Sequence, residues 1–171
     1  MTAGGTDATF EATIRAHAGD LFRYAYWLAR NRQQAEDIVQ EALLRGWRAF
    51  AQLRDRAAVK GWLFSIVRNE FLRLAARDGP AHDNLDAAER DIVDERASPF
   101  AMEMRDALMA LPASYAEPLA LQVLGGFTCA EIAAMLETTE GAVMTRLTRA
   151  RQALKRLILP AEAKERKGER S

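Results

Sequence analysis

The sequence predicts an all-α protein built from two small helical domains, and three observations carry that expectation. Apolar residues recur at three- and four-residue spacing along most of the 171 residues. No stretch alternates apolar with polar residues as a half-buried strand would. One acidic segment, residues 78–99, interrupts the helical pattern with glycine and proline. The chain is 49% hydrophobic, enough to build real cores, and it is rich in the helix formers Ala, Leu and Arg.

The first domain is expected over residues 1–77. Residues 10–30 place Phe10, Ile14, Leu21, Phe22, Ala25 and Leu28 at helical spacing, and Asn31-Arg32 breaks the run. A second helix follows, with Ala35, Ile38, Val39, Ala42, Leu43, Trp47 and Phe50 on a broad apolar face. Its other face holds Glu36, Asp37, Gln40, Glu41 and Arg45. A polar connection, AQLRDRAAVK, leads to a third helix carrying Trp62, Leu63, Ile66, Val67, Phe71, Leu72 and Leu74. Asp78-Gly79-Pro80 is a strong stop signal.

Residues 78–99 read as a linker, with room for a short helix around Leu85–Val93. The second domain is expected over residues 100–160. Met102, Leu108, Met109 and Leu111 suggest a helix stopped by Pro112. Leu119, Leu121, Val123 and Leu124 suggest another, ended by Gly125-Gly126. Thr128-Cys129-Ala130-Glu131 is a capping box that opens a helix with Ile132, Ala133 and Leu136 inward. After the turn Glu137-Thr138-Thr139, a last helix capped by Thr139 is expected to reach Leu159 and stop at Pro160. Residues 161–171 read as a polar tail.

Several chemistries are excluded. Cys129 is the single cysteine, so no internal disulfide or C-x-x-C pair exists. The two histidines, His17 and His82, lie far apart and build no metal site by spacing. No glycine-rich phosphate loop or nucleophile–base arrangement is visible, so neither an enzyme nor a cofactor is expected. The first residues lack the basic and apolar regions of a signal peptide, and no apolar run reaches a membrane span of about 18 residues. A cytoplasmic protein without membrane insertion is expected.

The formal net charge of zero conceals a pattern. Residues 1–77 carry 12 basic against 8 acidic residues, and residues 140–157 carry 5 against 1. The segments between them, 78–99 and 100–139, carry 2 against 7 and 1 against 5. Two basic blocks flank an acidic middle, a distribution compatible with a local nucleic-acid footprint. The second block follows the outline of a helix-turn-helix. Its last helix should present Glu140, Met144, Thr145 and Thr148 outward, with Arg146, Arg149 and Arg151 placed to reach phosphates or guanine edges. The plainer alternative is a surface helix with basic residues near its C-terminal end.

Two stretches together resemble a family. DIVQEALLRGWRAF (37–50) followed by VKGWLFSIVRNEFLRLAAR (59–77) resembles region 2 of the extracytoplasmic-function (ECF) sigma factors. LPASYAEPLALQVLGGFTCAEIAAMLETTEGAVMTRLTRARQAL (111–154) resembles their region 4. The resemblance implies a transcription initiation factor that binds core RNA polymerase and promoter DNA. It also implies an anti-sigma partner and a free form that is monomeric. By resemblance, Asp37, Gln40, Glu41 and Arg45 are candidates for polymerase contact. Without the family, that face reads as solvated, with i,i+4 repulsion of Asp37 by Glu41 and attraction of Glu41 by Arg45.

The connection and third helix resemble the element that recognises the −10 motif. Asn69 is placed to reach a base edge, and Arg54, Arg56, Lys60, Arg68 and Arg73 the backbone. Trp62 and Phe64 are candidate stacking platforms, although spacing assigns Trp62 to the core. Met144, Thr145, Arg146, Thr148, Arg149 and Arg151 fall at or beside the positions that meet the −35 element. The chain departs from the family pattern at Met144, where a basic residue is common. It departs again at Glu137, where the turn often has glycine, and at Thr138, where an apolar residue is usual. Two other readings fit the same residues: a stand-alone helix-turn-helix regulator, and a sigma-like mimic that binds only an anti-sigma protein.

Overall fold

The computed structural model describes residues 3–78 and 106–168. The chain forms two compact units, Met1–Arg90 and Asp91–Ser171, each with its own core. Every regular element among the described residues is helical. The expected short helix at Leu85–Val93 lies outside the described residues. So does the start of the helix expected after Phe100, of which residues 106–110 are seen as helical.

The first unit packs three helices, α1 (Ala3–Ala29), α2 (Arg32–Ala49) and α3 (Val59–Asp78), each against the other two. The reversal between α1 and α2 takes only two residues. Arg30 adopts a left-handed conformation at φ 55° and donates its backbone N–H to the Tyr26 carbonyl at 2.8 Å. Asn31 then caps α2, its side-chain oxygen accepting the Gln34 N–H at 2.8 Å. The inner stripe of α2 is Ala35, Ile38, Ala42 and Gly46, mostly small residues that let the helices approach closely. A Cβ on Gly46 would stand 3.2 Å from Leu63 Cδ2.

Aromatic side chains fill the rest of this core. Tyr24 stacks on Phe64 with centroids 5.2 Å apart, and Phe10 meets the edge of Phe50 at 4.8 Å. Burying each such ring contributes about 1.5–3 kcal/mol. Two sequence expectations change here. Phe64 is fully buried and is no stacking platform. Trp47, expected inward, is 55% exposed, because Gly46 already occupies the inner position and the next residue turns about 100° away. Trp62 is half-buried. The polar connection is ordered by two 3₁₀ turns, Phe50–Gln52 and Arg56–Ala58. Asp55 caps the second turn, and the Arg56 guanidinium lies 4.0 Å over the Phe50 ring.

The second unit contains α4 (Ala113–Gly125), α5 (Cys129–Met135) and α6 (Glu140–Gly168). α6 packs against both α4 and α5. α4 ends at Gly126, whose φ of 69° suits a residue without Cβ and whose N–H reaches the Gln122 carbonyl at 3.0 Å. The expected capping box on α5 is complete. Thr128 Oγ1 accepts the Glu131 N–H at 3.2 Å, and the Thr128 N–H donates to Glu131 Oε2 at 2.8 Å. α6 buries Val143, Leu147, Ala150 and Leu154, spaced four, three and four residues apart.

α6 does not stop at Pro160 but continues to Gly168. Proline's fixed φ is helical, so its cost is one missing hydrogen bond and a local clash. The residues after it, AEAKERK, are mostly strong helix formers that favour continuation.

Candidate functional site

The outer face of α2 carries the first set of candidates. Asp37, Gln40 and Arg45 are exposed and Glu41 is half-buried. Asp37 accepts a hydrogen bond from Gln33 Nε2 at 3.1 Å, and Arg45 Nε pairs with Glu41 Oε1 at 3.2 Å. The expected Glu41–Arg45 attraction is therefore present. Leu44 and Trp47, 51% and 55% exposed, add apolar area to a face that the sequence marked only by its polar residues.

Arg45 also reaches across to α3, where its Nε lies 2.6 Å from Glu70 Oε1. Arg73 Nη1 approaches the same oxygen at 3.1 Å. The Glu70 side chain is only 8% exposed. Leaving such a buried group unsatisfied would cost roughly 1–3 kcal/mol or more, and the two guanidinium groups remove that penalty. Sequence reasoning missed Glu70. Its position was visible, because Leu63, Val67 and Glu70 recur on one stripe of α3 and all three are buried. Beside Glu70 lies a cleft of about 570 Å³ lined by Asp37, Glu41, Arg45, Arg73 and Arg77 among others.

The −10 candidates do not form one cluster. Asn69 and Arg73 are exposed and share a face of α3, one turn apart. Lys60 stands nine residues earlier, about 13 Å along the helix axis from Asn69. Its Nζ lies 3.6 Å from Asp20 Oδ2 on α1. Asp20 also pairs with Arg23. The hydrogen bond from Arg23 is the main cause that holds the Asp20 carboxyl below the usual carboxylate range, with burial opposing it and Lys60 adding a smaller pull. Arg54 is exposed between the two 3₁₀ turns.

In the second unit, α5, the turn and α6 form the helix-turn-helix. Glu137 takes the left-handed position at φ 52° that the family pattern often gives to glycine. The turn closes with two backbone bonds, Glu137 N–H to the Ala134 carbonyl at 3.4 Å and Thr138 N–H to the Ala133 carbonyl at 2.9 Å. Thr139 Oγ1 accepts the Ala142 N–H at 3.1 Å and starts α6. At about 100° per residue, Met144, Thr145, Thr148 and Arg149 spread over one outward arc, and all four are exposed.

Arg151 flanks that arc and is exposed, whereas Arg146 lies nearer the buried stripe and is half-buried. Arg149 Nη1 lies 3.5 Å from the Tyr115 hydroxyl, and Arg151 donates to the Gln122 side-chain oxygen, so both lean on α4. The Thr145 and Thr148 hydroxyls donate back to the Gly141 and Met144 carbonyls, each at 3.0 Å. Among the described residues no helix is long and apolar enough to cross a membrane.

The family model of Sigma-70 region 2 matches residues 13–79, and that of Sigma-70 region 4 matches residues 101–154. The chain is 35% identical over 162 residues to the ECF RNA polymerase sigma factor SigL of Mycobacterium tuberculosis, covering 88% of this chain and 92% of that one. It belongs to the ECF RNA polymerase sigma factors. SigM of the same organism is 32% identical over 159 residues, covering 90% of this chain and 79% of the relative. A solved structure of the sigma factor RpoE from Bartonella quintana, in complex with the anti-sigma factor NepR, is similar at a TM-score of 0.73 and 25% identity. That similarity covers 88% of this chain and 96% of the other. In this ECF sigma factor, the three helices of the first unit fall largely within the region 2 match, and the helix-turn-helix within the region 4 match.

Proposed function

We propose that this ECF sigma factor binds core RNA polymerase and directs it to a class of promoters. Residues 1–77 act as region 2, residues 78–99 as linker and residues 100–160 as region 4, with residues 161–171 a polar extension into which α6 continues as far as Gly168. Core polymerase meets Asp37, Gln40, Glu41 and Arg45 on α2, and the exposed Leu44 and Trp47 enlarge that surface. The −10 element meets Arg54, Lys60, Asn69 and Arg73. The −35 element meets the α6 face of Met144, Thr145, Thr148 and Arg149, flanked by Arg146 and Arg151.

The observation that carries this reading is the presence of both sigma regions, in order, in one chain. The closed turn and the outward arc on α6 support the DNA role in particular, since they leave a capped helix end free to enter a major groove. The factor itself performs no chemistry; it is a cytoplasmic monomer when free. Regulation by an anti-sigma protein is supported by the likeness to RpoE, which was solved with one bound.

The deciding test is a titration of labelled full-length chain with bacterial core RNA polymerase, checked by co-elution. Submicromolar binding is expected. No binding to the cognate core would remove the reading and leave a stand-alone regulator or a mimic, which duplex DNA binding would separate.

A further inference from the structure

Glu70 sits where two proposed surfaces meet. Arg45 belongs to the polymerase-facing side of α2, and Arg73 shares the DNA-facing side of α3 with Asn69. Both guanidinium groups converge on Glu70 Oε1, at 2.6 and 3.1 Å. The carboxylate is 8% exposed, whereas the two arginine side chains are 42% and 57% exposed. A long exposed arginine samples many rotamers, and holding it in one geometry costs side-chain entropy. A fixed buried anion removes much of that freedom before any partner arrives, which is how preorganisation raises discrimination. Glu41 adds a second oxygen for Arg45 at 3.2 Å, but from the same helix and from a more exposed position. The ion pair that ties Arg45 of α2 to α3 is therefore the one with Glu70.

We propose that Glu70 is a positioning residue. Its carboxylate sets the direction of Arg73 toward the −10 strand and of Arg45 toward the polymerase, so that one buried anion orients a contact on each surface. The proposal rests on the sigma-factor reading above. Positioning and charge have opposite consequences for DNA. Removing the negative charge takes Glu70 from Arg73 and leaves Arg45 with Glu41 alone, so the local positive charge rises and favours any polyanion regardless of sequence. Losing the fixed direction of Arg73 weakens the preference for one sequence over another. A residue that served only to stabilise the unit would lower both kinds of binding together.

The test uses holoenzyme reconstituted from core polymerase and the full chain, with Glu70→Gln, Arg73→Ala and the double variant. The DNA probe is a promoter that wild-type holoenzyme selects from a pool randomised over the −10 region, compared with the same duplex scrambled there. Wild type is expected to prefer the selected sequence. Glu70→Gln is expected to reduce that preference about tenfold or more while binding the scrambled duplex as well as wild type or better. Arg73→Ala is expected to cost preference in the wild-type background and almost nothing further beside Glu70→Gln. Glu70→Asp keeps the charge and retracts it by one methylene. It should fall between wild type and Glu70→Gln, and it carries the test if the glutamine variant does not fold.

Unchanged preference in the Glu70 variants would overturn the positioning role. So would equal loss on both duplexes, or an equal cost of Arg73→Ala in both backgrounds. A wild-type holoenzyme that selects no sequence would defeat the sigma-factor reading itself and this proposal with it.

Discussion

Thr138 donates its backbone N–H to the Ala133 carbonyl at 2.9 Å, and Glu137 pays for that closure by standing at φ 52°. A residue with a Cβ loses roughly 1–2 kcal/mol in the left-handed region, and glycine avoids that loss at some entropic cost of its own. Glu137→Gly is therefore expected to stabilise the turn by about 0.5–1 kcal/mol. Amide exchange in α5 and the first turn of α6 should slow by roughly two- to fivefold, since 1.4 kcal/mol is a factor of ten. Unaltered exchange would show that the left-handed residue carries no strain here.

Arg149 lies within the outward arc of α6, where its guanidinium makes a long contact, 3.5 Å, to the Tyr115 hydroxyl. Arg149→Ala should lower initiation from −35-dependent promoters by a factor of roughly 5 to 150, the range of one lost base or phosphate contact. Core binding should stay within about twofold. Equal loss of both would remove Arg149 from the DNA face. Met144→Lys should do the reverse, strengthening DNA binding and steepening its salt dependence by about one phosphate contact.

Gln40 and Trp47 are both exposed on the outer side of α2 and stand two turns apart. Replacing both by Ala should weaken core binding about tenfold or more, because a buried aromatic anchor often dominates an interface. The helical circular dichroism of the free chain should not change, since neither side chain is in the core. Unaltered core affinity would return this face to solvent.

Asp20 offers a pH test with a definite sign. Its folded-state pKa is lowered, chiefly by the Arg23 hydrogen bond. The stabilisation is therefore present above the unfolded carboxylate value near pH 4 and is lost as pH falls through the lower folded value. Asp20→Asn should cost about 0.5–1 kcal/mol near neutrality, a modest figure because its main partner, Arg23, is 62% exposed and screened by solvent. The difference from wild type should shrink below about pH 4. Tryptophan fluorescence can follow it, since Trp27, Trp47 and Trp62 all lie in the first unit. A difference that persisted undiminished to pH 2 would show that Asp20 acts through packing and not charge.

The helices were legible because their ends are marked by short-range chemistry. Asn31, Thr128, Thr139 and Gly126 each act on backbone groups within a few residues, and such signals survive in the bare sequence. The α6 face was legible for the same reason, since one helix and one turn define it. Trp47 was misread because apolar character suggests burial, while Gly46, pressed between Leu63 and Phe10, takes the inner position and turns its neighbour outward. Glu70 was missed because its partner Arg45 lies 25 positions away on another helix, and no local pattern joins them. Pro160 is a stop signal only locally, and the helix-forming residues beyond it carry α6 on to Gly168.

The two threonine hydroxyls on α6 leave a chemical asymmetry on that face. Each hydroxyl has one proton, and both protons are already committed to carbonyls of the preceding turn. What Thr145 and Thr148 retain toward a groove is oxygen lone pairs and methyl groups. Arg149, by contrast, has protons to give and no lone pair to offer. Met144 adds a polarizable apolar side chain beside them. The face is thus divided by hydrogen-bond polarity: arginine suits the acceptor-rich edge of guanine, while the threonines suit exocyclic amines and the thymine methyl.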